Sequence, residues 1–366
     1  MRYVRMPIEM ESPEEFGYGR IRNNLSESSI SDQKLSDFGL QIPDLTLLYN
    51  EHRGSPALRA LIAKDEPRLS ADDVLVTAGA AGALFIVSTA LLSSADHLVV
   101  VRPNYATNLE TPRAIGCETA LIDLVFEEGF ALDLAKVEAA IRPNTKVISV
   151  TTPHNPTGVM LSGGELRALA DLADRHGCRL LVDETYRDLC FGDLLPLAAS
   201  LGPHVISVAS LSKAYGAPGL RLGWLICADP DLQELFLAAK EQISICGCVI
   251  HEWIAEQILA RRDTILAETM REMRVRRELI ADWMAGERLL QWVPPQGGVV
   301  CMPRMRDEPP GGTDAFYRRL LEQHGTYLGP GHWFEMPDRY FRLGFGWPTR
   351  SELEAGLAGI SKALRG

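Results

Sequence analysis

The chain has 366 residues, 46% of them hydrophobic and 23% charged, with a formal net charge of −11. That length exceeds one small core and predicts two packed lobes, while the acidic balance argues against nucleic acid or an anionic membrane as the main partner, since both demand basic patches. The apolar runs near Val99 and Leu180 stop far short of spanning length, so no transmembrane helix is expected.

Residues 1–15 carry Arg2 and Arg5 among several acids, without an apolar run of signal-peptide length, so the protein is expected to stay in the cytoplasm. The first 42 residues read as a turn-rich arm. Seven cysteines, an odd number scattered from Cys117 to Cys301, suit free thiols in a reducing compartment. Cys246 and Cys248 are the one close pair, and neither they nor the eight histidines have metal-ligand spacing, so no metal is expected.

From about Pro43, short apolar runs at 73–77, 97–101, 145–150, 179–182, 205–208 and 222–226 alternate with helical patterns such as 163–176. This alternation predicts an α/β fold with a mostly parallel sheet covered on both faces. After Ala228 the helical patterns lengthen, and the charged stretch 263–287 reads as one helix joining two lobes. Strand signals at 298–303 and 340–345, with an amphipathic helix at 351–364, predict a smaller α+β lobe. The expected division is an arm (1–42), a large domain (43–265) and a small domain (266–366).

Several strand ends carry residues suited to chemistry. Thr77-Ala-Gly-Ala-Ala-Gly joins a strand to a helix, where the amides of Gly79, Ala80 and Ala81 would bind an anion. Thr151-Thr-Pro-His-Asn155-Pro-Thr-Gly158 forms a tight turn that would present the Asn155 amide to the crevice at the strand ends, or is simply a turn. Val182-Asp-Glu-Thr-Tyr186 places Asp183 where a carboxylate could keep a pyridine nitrogen protonated and Tyr186 where a hydroxyl could meet a ring oxygen; the plainer reading of Asp183 is a helix cap. Ser210-Leu-Ser-Lys213-Ala-Tyr-Gly-Ala-Pro-Gly-Leu-Arg221 sets a lysine just past a strand, among hydroxyls and eight residues before an arginine. That suits an imine-forming amine beside a phosphate, though an exposed loop lysine would look the same. Late in the chain, Arg342 in Tyr340-Phe-Arg-Leu-Gly has the planar fork for a carboxylate.

The order Asn155-Pro-Thr-Gly, Asp183-x-x-Tyr186, Ser-x-Ser-Lys213, Arg221 and Arg342 resembles the class I/II aminotransferase family over nearly the whole chain. The resemblance implies fold type I and pyridoxal 5′-phosphate (PLP) as cofactor. It assigns the ring oxygen to Asn155 and Tyr186, the ring nitrogen to Asp183 and the Schiff base to Lys213. It places the phosphate on Ser210, Ser212, Arg221 and the amides of Gly79, Ala80 and Ala81. The family often has a hydroxyl residue in that last turn, and the two alanines here leave Arg221 the largest expected contributor. Tyr105 in Arg102-Pro-Asn-Tyr105 falls where the family stacks an aromatic ring on the pyridine. Tyr49, in Leu48-Tyr49-x-x-x-x-Gly54, matches a tyrosine that reaches the phosphate of the neighbouring subunit, which implies a homodimer with shared sites. Arg342 is expected to hold the carboxylate of an amino acid substrate.

Lys213, released by an incoming amino acid, would remove its Cα proton, and the motifs above are common to transaminases, β-lyases and cyclases. Pro153-His-Asn-Pro-Thr-Gly, Leu211-Ser-Lys-Ala-Tyr-Gly, Pro295-Gln-Gly-Gly-Val, Arg342-Leu-Gly-Phe and Asp188-Leu resemble more narrowly the capreomycidine synthase group and the related enduracididine cyclases. Those enzymes eliminate water from a hydroxyarginine and close a guanidine nitrogen onto the resulting alkene. On that resemblance Asp188, two residues past Tyr186, is expected to face the substrate guanidinium, with Glu9 and Glu27 of the arm as further acceptors. An ordinary aminotransferase with a keto-acid acceptor is the rival reading, and a PLP-sensing regulator is a third.

Overall fold

The computed structural model describes residues 1–366. A two-residue strand β1 (Asn23–Asn24) precedes the strands of the main sheet: β2 (Val74–Thr77), β3 (His97–Arg102), β4 (Glu118–Asp123), β5 (Thr145–Thr151), β6 (Arg179–Asp183), β7 (Val205–Ser210) and β8 (Gly223–Ile226). The order across the sheet is β2-β8-β7-β6-β5-β3-β4. Only β8 runs antiparallel to its neighbours; the other pairs are parallel. The middle strands are rich in Val, Ile and Leu and buried along most of their length, and helices cover them on both sides. β4 was not among the expected strands. It lies at the sheet edge with exposed acids at both ends, Glu118 and Asp123, so its sequence does not read as a buried run.

The intervening helices start where local chemistry allows. Helix Gly163–Arg175 opens on a capping box in which the Ser162 hydroxyl accepts from Glu165 N–H and the Glu165 carboxylate accepts from Ser162 N–H. The charged stretch forms one helix, Arg262–Gly286, and it runs straight through the expected boundary at 265/266. Past it come the short strands β9 (Leu290–Gln291), β10 (Val300–Cys301), β11 (Arg304–Met305), β12 (Thr326–Tyr327), β13 (Gly329–Pro330) and β14 (Phe341–Gly344). Three of these form an antiparallel sheet, β10-β14-β13. Helix Arg350–Ala363 closes the chain on a second capping box, Thr349 with Glu352. No helix is long and apolar enough to cross a membrane.

The arm is threaded into this C-terminal layer. β1 pairs in parallel with β12, Leu25 is fully buried, and Gly344 N–H donates to Leu25 O at 2.7 Å. Burying one such leucine contributes roughly 1.5–3 kcal/mol. A Cβ on Gly344 would stand 1.8 Å from Glu27 O, so the arm can lie this close only against glycine. Its residues 26–28 thereby pass between the C-terminal sheet and the strand ends of the main sheet.

Candidate active site

Parallel strands deliver their C-terminal ends to one edge of a sheet, and the reversed β8 delivers its N-terminal end to the same edge. Register makes this concrete: Gly223 pairs with both Thr77 and Ser210, and Thr151 pairs with Asp183. The loops leaving these positions line a cavity of about 330 Å³ that contains Lys213, Asp183, Asn155, Tyr186, Arg221 and Arg342. Ala80, Ala81, Tyr105, Ser210 and Ser212 line it as well. A larger cleft of about 640 Å³ lies behind the Asn155 turn, sharing Thr151 with the first. It holds neither Lys213 nor Asp183, so the chemistry belongs to the smaller cavity.

One end of the cavity is built for an anion. Helix Gly79–Leu91 begins after Ala78, whose methyl group caps nothing, so its first amides have no side-chain acceptor. Gly79 has φ +74°, and a Cβ there would come within 2.8 Å of Arg221 Nη2. A Cβ on Gly223 would meet Ala80 N at 2.6 Å. Two missing side chains therefore let the Arg221 guanidinium, the helix amides and the Ser210 and Ser212 hydroxyls converge. Arg221 itself sits at φ +48°, a left-handed conformation that typically costs about 1 kcal/mol or more for a residue with a Cβ.

The other end presents an acid. Asp183 Oδ1 accepts from Thr185 N–H at 3.1 Å and from Thr185 Oγ1 at 2.6 Å, and Oδ2 accepts from Asn108 Nδ2 at 3.5 Å. Burial raises its pKa despite these bonds, so the carboxylate would be stabilised by a protonated nitrogen beside it. Asn108 was not foreseen. It belongs to a buried relay in which Asn104 Oδ1 accepts from both Asn108 Nδ2 and Thr151 Oγ1 at 3.1 Å.

Between the two ends lies the amine. Lys213 Nζ donates to Ser28 Oγ at 2.9 Å. Burial first, and then the Arg342 charge, depress its pKa and so favour the neutral, nucleophilic form. Arg342 donates through Nη1 to Asn155 Oδ1 at 3.3 Å and through Nη2 to Ser26 O, while its Nε has no partner. The guanidinium also lies 5.1 Å over the Phe334 ring. A buried arginine with an open N–H is arranged for an anionic ligand. Anion-binding donors, a ring-facing acid and a depressed lysine in this order match a phosphorylated pyridine aldehyde. Tyr186 lines the cavity too, but its hydroxyl donates to Ser28 O at 2.8 Å, and burial pushes its pKa up to about 12.

The arm closes the mouth. Glu9 and Glu14, from the short helices Pro7–Met10 and Pro13–Phe16, line the cavity together with Glu27. Burial and then the neighbouring Glu14 raise the Glu27 pKa, and Tyr18 OH donates to Glu27 Oε1 at 3.2 Å. The helices are tied down from the far side: His332 Nε2 lies 2.8 Å from Glu11 Oε2, and Trp333 Nε1 donates to the same oxygen at 2.7 Å. His332 Nδ1 lies 2.9 Å from Asp338 Oδ1.

One expected site residue is elsewhere. Asp188 lines a separate small cavity, where its Oδ2 accepts from Tyr215 OH at 2.7 Å and Oδ1 lies 3.7 Å from Arg187 Nη1. The expectation that it faces the substrate assumed that residues two apart point the same way. That holds for an extended chain, but Arg187–Leu189 is a 3-10 turn, in which two residues rotate the side chain by about 240°. Tyr49 is 80% exposed and lies outside the cavity of its own chain, as a residue directed to a neighbouring subunit must. Ser28, Glu14 and Asn108 are the additions. Nothing local in the sequence marked them.

The family model for aminotransferase class I and II matches residues 33–360. Capreomycidine synthase of Streptomyces vinaceus is 33% identical over 316 residues, 85% of this chain and 79% of that protein. Arginine–pyruvate transaminase AruH of Pseudomonas aeruginosa is 32% identical over 304 residues, 78% of this chain and 74% of that protein. Among solved structures, the PLP-dependent cyclase OrfR superposes with a TM-score of 0.87 at 30% identity, covering 100% of this chain and 98% of the other.

Proposed function

Because the chain belongs to the class I and II aminotransferase family, whose enzymes work with pyridoxal 5′-phosphate, we propose that it acts on an arginine-type amino acid and converts a hydroxyarginine to a cyclic guanidine amino acid by loss of water. When bound, the cofactor supplies an electron-poor ring that accepts the electron pair left when the substrate loses its Cα proton. In this reading Arg221, Ser210, Ser212 and the amides of Gly79, Ala80 and Ala81 hold its phosphate. Asp183 keeps its ring nitrogen protonated, Tyr105 stacks on the ring, and Asn155 and Tyr186 face the ring oxygen. Lys213 carries the cofactor and, once released, removes the Cα proton.

The observation that carries the substrate assignment is the charge layout of the cavity. Arg342 offers an open N–H for a carboxylate, and Glu9, Glu14 and Glu27 line the arm side of the same space. An amino acid with a cationic side chain satisfies both, and a guanidinium can bridge two carboxylates with its planar fork. The raised Glu27 pKa fits a carboxyl pair waiting for such a cation. Capreomycidine synthase and the cyclase OrfR among the relatives support dehydration as the outcome.

The second reading, transamination of arginine to a keto acid acceptor, is supported by the arginine–pyruvate transaminase relative and would use the same substrate contacts. Incubation with L-arginine and hydroxyarginines, with and without pyruvate, separates the two. A cyclic product that keeps its α-amino group and forms without acceptor is the expected result; an absolute need for keto acid overturns it.

We also propose a homodimer. Leu47, Leu48 and Tyr49 are 75%, 58% and 80% exposed in an irregular segment, an apolar run that a second copy would cover, bringing Tyr49 to the neighbouring phosphate.

A further inference from the structure

We infer that Ser28 is a catalytic residue: its hydroxyl relays a proton from Lys213 to the departing oxygen of the substrate. This rests on the dehydration reading above and assigns the acid that reading lacks. Ser28 Oγ is the one side-chain acceptor of Lys213 Nζ, at 2.9 Å, and it lines the same cavity. A hydroxyl both accepts and donates, and Ser28 Oγ donates to nothing in the protein, so its proton is available to a ligand. Its backbone is pinned on both sides: Tyr186 OH donates to Ser28 O at 2.8 Å, and Ile30 N–H donates to Lys213 O at 3.2 Å. The flanking carboxyl, Glu27, makes no hydrogen bond to Lys213 and is occupied by Tyr18.

The step balances without any oxidant or reductant. The neutral Lys213 amine takes the Cα proton and becomes an ammonium. The electron pair of that C–H bond forms the Cα–Cβ π bond as the Cβ–O bond breaks, its pair leaving on oxygen. Ser28 gives its hydroxyl proton to that oxygen, making water, and is reprotonated by the Lys213 ammonium, which returns to the amine. Hydroxide is a poor leaving group, so the proton matters here. For a halide leaving group it does not.

That difference provides the test, using PLP-loaded wild type, Ser28→Ala and Ser28→Thr. Three rates are compared: exchange of the Cα proton of L-arginine with D₂O, chloride release from β-chloroalanine, and water loss from β-hydroxyarginine. Ser28→Ala should keep the first two within about fivefold and lose about 10²-fold or more in the third, in line with positioned proton transfer. Ser28→Thr, which retains the hydroxyl, should recover water loss to within about tenfold. A pH titration of the visible absorbance of each variant verifies that Lys213 still carries the cofactor. Equal losses in all three rates for Ser28→Ala would make the residue a support for Lys213 alone and overturn the relay, as would unimpaired water loss. If Ser28→Ala does not load cofactor, water loss by Ser28→Thr decides: failure there, with normal exchange and chloride release, means the relay geometry is wrong. Wild type that dehydrates no hydroxyarginine overturns the cyclase reading and the relay together, whereas normal water loss by Ser28→Ala overturns the relay alone.

Discussion

The edge of the main sheet and the arm that lies over it build one cavity by opposite means. At the sheet edge, strand register places Gly223 beside both Thr77 and Ser210; Asp183 ends its strand, Asn155 and Lys213 follow theirs by a few residues, and Arg221 stands just ahead of its own. The arm has almost no regular structure and is placed by contacts to distant parts of the chain: Ser28 to Tyr186 and Lys213, Ser26 to Arg342, Glu11 to His332. The sheet edge can therefore hold the chemistry that the family shares, while the arm brings Ser28 to Lys213 and lines the mouth with carboxylates.

The contrast is broken most severely at Lys213. Lys213→Ala should lower turnover of any substrate by about 10⁴-fold, the upper range for a positioned proton-transfer group, and should abolish borohydride fixation of the cofactor to the protein. Fixation persisting in that variant would place the attachment on another lysine. On the arm side the damage should be selective. Glu27→Gln is expected to raise KM for hydroxyarginine about 10- to 100-fold, the worth of one charge-assisted hydrogen bond, while leaving Cα exchange of alanine nearly unchanged. Equal loss for both substrates would remove Glu27 from side-chain recognition.

A smaller effect tests the phosphate end of the sheet edge. Gly79→Ala puts a Cβ at φ +74°, 2.8 Å from Arg221 Nη2. A left-handed residue with a Cβ costs about 1–2 kcal/mol, so cofactor affinity measured by absorbance titration should weaken about tenfold while secondary structure is retained. Unchanged affinity would mean that Arg221 and the helix amides need not converge as closely as they do here.

Legibility in the sequence follows the same division. Asn155, Asp183, Lys213 and Arg221 could be picked out because each sits within six residues of a recognisable apolar strand or, for Arg221, just ahead of one. β4 was invisible because its charged ends mask a short edge strand. In the arm, the family resemblance suggested acids near the mouth, but nothing local distinguished Ser28 from Ser26 or Ser29, since its partners are 158 and 185 residues away. Asp188 misled for a related reason. Its direction depends on whether the chain after Tyr186 stays extended or turns, and the turn is set by packing that the motif does not encode.

The last and mildest perturbation acts on the tether of the arm. Hydrogen bonding to Asp338, reinforced by Glu11, pushes the His332 pKa up to about 9 from an ordinary 6.5, against the opposing effect of burial. A histidine whose pKa is raised in the closed form stabilises that form fully below its ordinary pKa and ceases to do so as pH rises through the raised one. Burial works to raise the Asp338 pKa, but its contacts with His332 together hold it below the usual range, so it stays anionic throughout this window and the histidine proton is what changes. Because the tether is partly exposed, screening keeps the effect small. Hydrogen exchange of residues 7–20, corrected for its intrinsic pH dependence, should therefore rise a few-fold between pH 7 and pH 9.5. His332→Gln should show the faster exchange already at pH 7, with a flat profile above it. A wild-type profile as flat as that of the variant would mean that the arm is held by its aromatic contacts, Phe16 on Tyr327 and Tyr18 on Trp347, rather than by charge.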